Sequence, residues 1–187
     1  MKIKAGILIT FILLMFTVKS HASGKTTEHK ANIFIPDVAL LTIEPVENSK
    51  NDIIFERPGS SGVRIQFSQK SKSETRINYS SVIHKNQYRR ITATIVEEIP
   101  EGLIMKLNAS GCQGKGTGEL GIGHQAVILS NTPADAISGI GSAFTGKGNG
   151  TGHIISYELD MSNPDYYDLY NDKQYSFTVM FTLTDDN

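Results

Sequence analysis

Tyr175-Ser176-Phe177-Thr178-Val179-Met180-Phe181-Thr182-Leu183-Thr184 is the stretch that decides the fold. Tyr175, Phe177, Val179, Phe181 and Leu183 alternate with Ser176, Thr178, Met180, Thr182 and Thr184. A period of two gives a strand one apolar face, whereas a helix would scatter the same residues around its cylinder. The aromatic and branched side chains suit a pleated, half-buried surface.

Outward from that stretch the same grammar recurs. Val63, Ile65 and Phe67 alternate with Arg64, Gln66 and Ser68, and Thr75 to Tyr79 reads as a further strand. Between Tyr88 and Val96, Ile91, Ala93 and Ile95 oppose Arg90, Thr92 and Thr94. Leu103 to Leu107, Gln125 to Leu129 and His153 to Leu159 are read as strands, and Ala134 to Gly141 as a strand or a single helical turn. Ile33 to Ile43 reads as extended, interrupted or bulged at Pro36. Ile53 to Glu56 is short and apolar, and the cluster from Pro58 to Gly62 marks a turn.

Thirteen of the seventeen glycines lie between Gly102 and Gly152, concentrated in Gly111 to Gly123 and Gly146 to Gly152. Such density excludes helix there and predicts long loops with positive φ. No segment beyond about eight residues keeps a 3.6-residue period. The expected fold is all-β, an immunoglobulin-like β-sandwich with long Gly-rich loops.

The N-terminus predicts export. Lys2 and Lys4 precede an apolar run from Ala5 to Val18, and Ser20-His21-Ala22 fits signal-peptidase cleavage after Ala22. That run, about 14 residues, is shorter than the roughly 20 that span a bilayer as a helix. Residues 1–22 are thus read as a signal peptide and 23–187 as one domain, with 23–32 expected to be flexible. No second long apolar run follows, so no helical membrane span is expected. Loss of Lys2, Lys4 and Lys19 leaves fifteen Lys and Arg against nineteen Asp and Glu. This negative balance argues against a nucleic-acid partner, whose phosphates need a positive face. The destination is the periplasm, the cell surface or the medium.

Few residue patterns carry chemistry. Gly141-Ser142-Ala143-Phe144-Thr145-Gly146-Lys147-Gly148 opens like a phosphate-binding loop, but Gly148 stands where a Ser or Thr should hold Mg²⁺. A turned loop is the better reading. His29, His84, His124 and His153 are not paired at metal-ligand spacings, and Cys112 with His124 is too thin a set for zinc. Asp160, Asn163, Asp165 and Asp168 offer oxygens for Ca²⁺, without the central Gly and final Glu of the hand-type loop; a solvated loop is preferred. Glu97, Glu98 and Glu101 are the carboxylates available to a glycosidase, at what reads as a strand end. No G-x-S-x-G occurs. Cys112, alone after the signal, has no intramolecular partner for a disulfide. These patterns nominate no catalytic, metal or cofactor-binding residue, and the chain is expected not to be an enzyme.

Tyr166, Tyr167 and Tyr170 stand beside Asp165, Asp168 and Asn171 in the segment 160–173. Aromatics among carboxylates and amides stack on sugars or form protein-binding patches. Covering the end of the sandwich is their plainer role. Asn78-Tyr79-Ser80, Asn108-Ala109-Ser110 and Asn149-Gly150-Thr151 match the glycosylation sequon.

The signal, the extended N-terminal segment, the Gly- and Thr-rich middle and the Tyr175–Thr184 strand together resemble the exported pilin-like surface proteins of bacteria. The resemblance implies an immunoglobulin-like, non-catalytic structural or adhesive subunit of a fimbrium, assembled by lending an N-terminal strand to the next subunit. Ile33 to Ile43 would then be the donated or first strand, and Tyr175 to Thr184 would border the receiving groove. The lone Cys112, together with Pro36 and Asp37, departs from the family pattern. The alternative is a monomeric secreted module that binds glycan or protein through the 160–173 segment. Either way the expected partner is a protein or glycan surface, including a second copy.

Overall fold

The computed structural model describes residues 30–49, 53, 60–61, 73–160 and 175–186. The signal segment, the strand read at 63–68 and nearly all of 160–173 lie outside them. The chain divides into units 1–34 and 35–187, and every strand described belongs to the second. Among the described residues there is no helix.

Among the described residues, nine antiparallel strands form one branched sheet. They are β1 Val38–Pro45, β2 Glu74–Val82, β3 Arg89–Ile95, β4 Ile104–Ala109, β5 Thr117–Gly123, β6 Val127–Ile128, β7 Ala134–Phe144, β8 His153–Asp160 and β9 Val179–Asp185. The branch point is β2. One of its edges carries β1 throughout, from Val38↔Val82 to Pro45↔Thr75. Its other edge pairs first with β8 at Glu74–Ile77 and then with β7 at Ser80 and Ser81. One arm continues β8–β4–β6; the other continues β7–β3–β9, with β5 on the far edge of β7.

Both arms face one core. Ile77 and Tyr79 come from β2, Ile91, Ala93 and Ile95 from β3, Met105, Leu107 and Ala109 from β4, and Ala136, Ile137 and Ile140 from β7. Ile155 of β8 and Leu129 complete it. In β3 and β4 burial alternates residue by residue, as the sequence pattern requires. Each fully buried Ile or Leu contributes about 1.5–3 kcal/mol over leaving it in water. Val179, Phe181 and Leu183 lean on this core from β9 while Met180, Thr182 and Thr184 face out.

The structure departs from the sequence reading at several places: the segment read as extended from Ile33 to Ile43 is strand only from Val38, and β7 runs past Gly141 to Phe144. The alternation that begins at Tyr175 becomes ladder only at Val179. The strand read at Gln125–Leu129 shortens to Val127–Ile128. The first Gly-rich stretch, read as loop, contains β5. Gly118 explains why a strand can be so rich in glycine: its φ is 97°, and a Cβ there would strike the Ser142 carbonyl and Ala143 of β7. Backbone packs on backbone at that point, with a register shift between Gly118 and Leu120.

Candidate functional site

Arg89 opens β3 in the inward register of Ile91, Ala93 and Ile95, so its position commits a cation to the core side of the sheet. Only 4% of its side chain is exposed. A buried guanidinium needs acceptors for its five N–H groups. Nε donates to Asp185 Oδ1 at 2.8 Å, at the end of β9. Nη2 donates to Asp37 Oδ1, and Nη1 to Val38 O, at the entrance to β1. Nη1 also reaches Ser81 Oγ at 3.2 Å and Val82 O at 3.4 Å, at the end of β2. Burial works against the charge, but the bonds to Asp37 and Asp185 outweigh it and hold Arg89 above the ordinary arginine range.

The start of β1 and the end of β9 are thereby tied to one side chain. Among the described residues β1 pairs only with β2, and β9 only with β3. The other edge of each carries no strand among the described residues. No side chain of β1 is fully buried; Leu41 packs on the core, while Leu40 is 64% exposed. Leu40, Ser80, Phe144 and Thr117 stand opposite one another across β1, β2, β7 and β5, which places Leu40 and the half-exposed Phe144 in one row on the outer face. Ahead of β1, Ile33, Phe34 and Ile35 are 87%, 87% and 72% exposed.

At its other end β9 is closed by Glu97. Its Oε2 accepts the Thr178 N–H at 2.6 Å and its Oε1 accepts the Thr178 hydroxyl at 2.8 Å, while Val96 N donates to Thr178 O. The backbone bond from Thr178, then the hydroxyl, holds the Glu97 carboxyl below its usual range. Glu98 and Glu101, the other carboxylates of that group, are exposed.

A second polar cluster lies inside the sheet. His153 is fully buried and stacks on Tyr79 with ring centroids 5.7 Å apart. Its Nδ1 lies 2.7 Å from Ser110 O, and its Nε2 lies 3.1 Å from Tyr79 Oη and 3.2 Å from Leu120 O, so a backbone carbonyl faces each ring nitrogen. The Tyr79 hydroxyl donates to Leu120 O of β5. Burial lowers the His153 pKa, against the opposing pull of the hydrogen bonds to Ser110 O and Leu120 O. Burial first, and Cys112 second, raise that of Tyr79. The cluster joins β2, β5 and β8, and packing seals it from solvent.

The remaining expectations place as follows. Asn163, Asp165, Asp168 and Tyr166, Tyr167 and Tyr170 lie outside the described residues; Asp160 accepts from Lys106 Nζ at 2.9 Å. Gly141–Phe144 is the end of β7, and the chain then turns through 145–151 into β8 with no helix to aim at a phosphate. His124 Nε2 lies 2.8 Å from Ser138 Oγ, His84 is exposed, and Cys112 is half-buried with its thiol pushed up by burial. Among the described residues no three His, Cys, Asp or Glu side chains are grouped to hold a metal. No helix among them is long and apolar enough to cross a membrane. Sequence reading missed Arg89, weighed His153 only as a metal ligand and took Tyr79 only as part of a strand and a sequon; for Arg89 the signal was present, an arginine in step with Ile91, Ala93 and Ile95.

Comparison with family models, with curated proteins and with solved structures finds no match.

Proposed function

We propose that the chain is a non-catalytic exported surface protein, structural or adhesive, built on an immunoglobulin-like β-sandwich, whose copies associate through strand edges. The observation that carries this reading is the exposed run Ile33-Phe34-Ile35, followed after Pro36 and Asp37 by β1, which pairs on one edge alone among the described residues. Leaving such side chains in water forgoes about 1.5–3 kcal/mol each. Laid along an open edge of a second copy, the run gains backbone hydrogen bonds and buries alternate side chains. The two arms of the sheet, sharing one core, support the sandwich. The confinement of Tyr79 and His153 to the sealed interior supports a non-catalytic role, since a general base must reach its substrate.

A second reading is a monomeric module that binds glycan or protein through the 160–173 segment. It is favoured by the eight-residue register of β1 on β2 of its own chain, which leaves β1 itself already paired. Light scattering separates the two: edge association gives species heavier than one chain that disappear when Ile33, Phe34 and Ile35 are changed together to Ser. A native chain that stays monomeric as its concentration rises favours the module.

A further inference from the structure

Asn149-Gly150 is the only Asn-Gly pair in the chain, and the fold presents it in the turn between β7 and β8. Both residues are exposed. Among the described residues the Gly150 N–H has no hydrogen-bond acceptor, which leaves its nitrogen available for attack. Gly150 has a φ of 78°, and no atom stands within 4 Å of where a Cβ would be, so no side chain covers that face of the residue. The Asn149 amide has one partner, donating from Nδ2 to Glu47 Oε2 at 3.3 Å.

We propose that Asn149 is a site of spontaneous covalent modification, converted by attack of its own backbone to aspartate and isoaspartate. The Gly150 nitrogen attacks Asn149 Cγ; the new C–N bond forms as the Cγ–Nδ2 bond breaks, and Nδ2 leaves as ammonia with the proton taken from the Gly150 amide. Water then opens the five-membered imide at either carbonyl. One carbonyl gives aspartate, and the other gives isoaspartate with an extra methylene in the main chain. Water is the only co-reactant.

The product changes the loop's electrostatics. The group that donated to Glu47 becomes a carboxylate facing it, so a hydrogen bond turns into a like-charge contact. Two residues on, the loop places Thr151 O on the buried guanidinium of Arg76, at 2.6 Å, and Thr151 Oγ1 on Asn78 Oδ1, at 3.2 Å. An added main-chain methylene at residue 149 disturbs that placement. An exported chain, once outside the cell, would carry this change as a record of its age.

The test is peptide mapping by mass spectrometry of the purified folded chain during storage in mildly alkaline buffer. The proposal expects a gain of one mass unit confined to the peptide holding Asn149, with isoaspartate detected by enzymatic methylation. Peptides holding the other described asparagines should stay unchanged. Asn149→Gln should abolish the product, and Gly150→Ala should slow it several-fold. An unmodified Asn149 in the folded chain would overturn the proposal, as would conversion spread evenly over the asparagines or an unaltered rate in Gly150→Ala.

Discussion

The guanidinium of Arg89, at the first position of β3, lies 2.8 Å from the carboxylate of Asp185, at the last position of β9 and 96 residues away. The same side chain holds Asp37 and Val38, so one buried cation closes the junction where β1 begins and β9 ends.

Replacing Arg89 should therefore cost more than removing either acid. Arg89→Met strips charge-assisted bonds from Val38 O and Val82 O and should destabilise the fold by about 2–4 kcal/mol in urea denaturation. Asp37→Asn and Asp185→Asn touch largely exposed carboxylates and should each cost about 1 kcal/mol or less. Equal losses for all three would show that Arg89 is not the hub.

His153 should make the fold acid-sensitive. Its folded pKa lies below the ordinary 6.5 because burial disfavours the imidazolium. Below about pH 6.5 the unfolded chain therefore binds a proton that the folded chain refuses. Stability from this group is present above that pH and falls as pH drops toward the lowered folded value, by at most about 1.4 kcal/mol per pH unit. Urea midpoints measured across that window should fall more steeply for the native chain than for His153→Gln. Parallel slopes would remove His153 as the cause.

Two glycines in one loop should respond differently to alanine. Gly148 and Gly152 both have positive φ, at 86° and 76°. Around Gly148 there is open space, so Gly148→Ala should cost about 1–2 kcal/mol, the backbone penalty alone. A Cβ at Gly152 would strike the Ile77 carbonyl and the Asn78 side chain, and Gly152→Ala should cost roughly 2 kcal/mol more. Thermal or urea unfolding of the pair gives the comparison.

Alternation made β3 readable, because Ile91, Ala93 and Ile95 are buried as the period demands. It misplaced the start of β9, because the Thr178 N–H goes to Glu97 Oε2, and no local pattern reveals a side chain 81 residues away. Strand β5 was hidden for the opposite reason. Its glycines signal turns when read singly, yet Gly118 is needed because the strand backs closely onto Ser142 and Ala143. The Arg89 junction was half legible: the inward register of an arginine was in view, but Asp37 and Asp185 reach it only through the sheet topology. Long-range pairing decides such sites, and residue order along the chain does not encode it locally.

The proposed association rests on exposed Ile33, Phe34 and Ile35 joining one copy to the edge of another. Its most direct test is the solution mass of the exported chain by light scattering over a range of concentrations, beside the variant in which all three are Ser. The native protein should give concentration-dependent species heavier than one chain, and the variant a folded monomer. A native chain that remains a monomer throughout, or a variant that associates as strongly as the native chain, would contradict it.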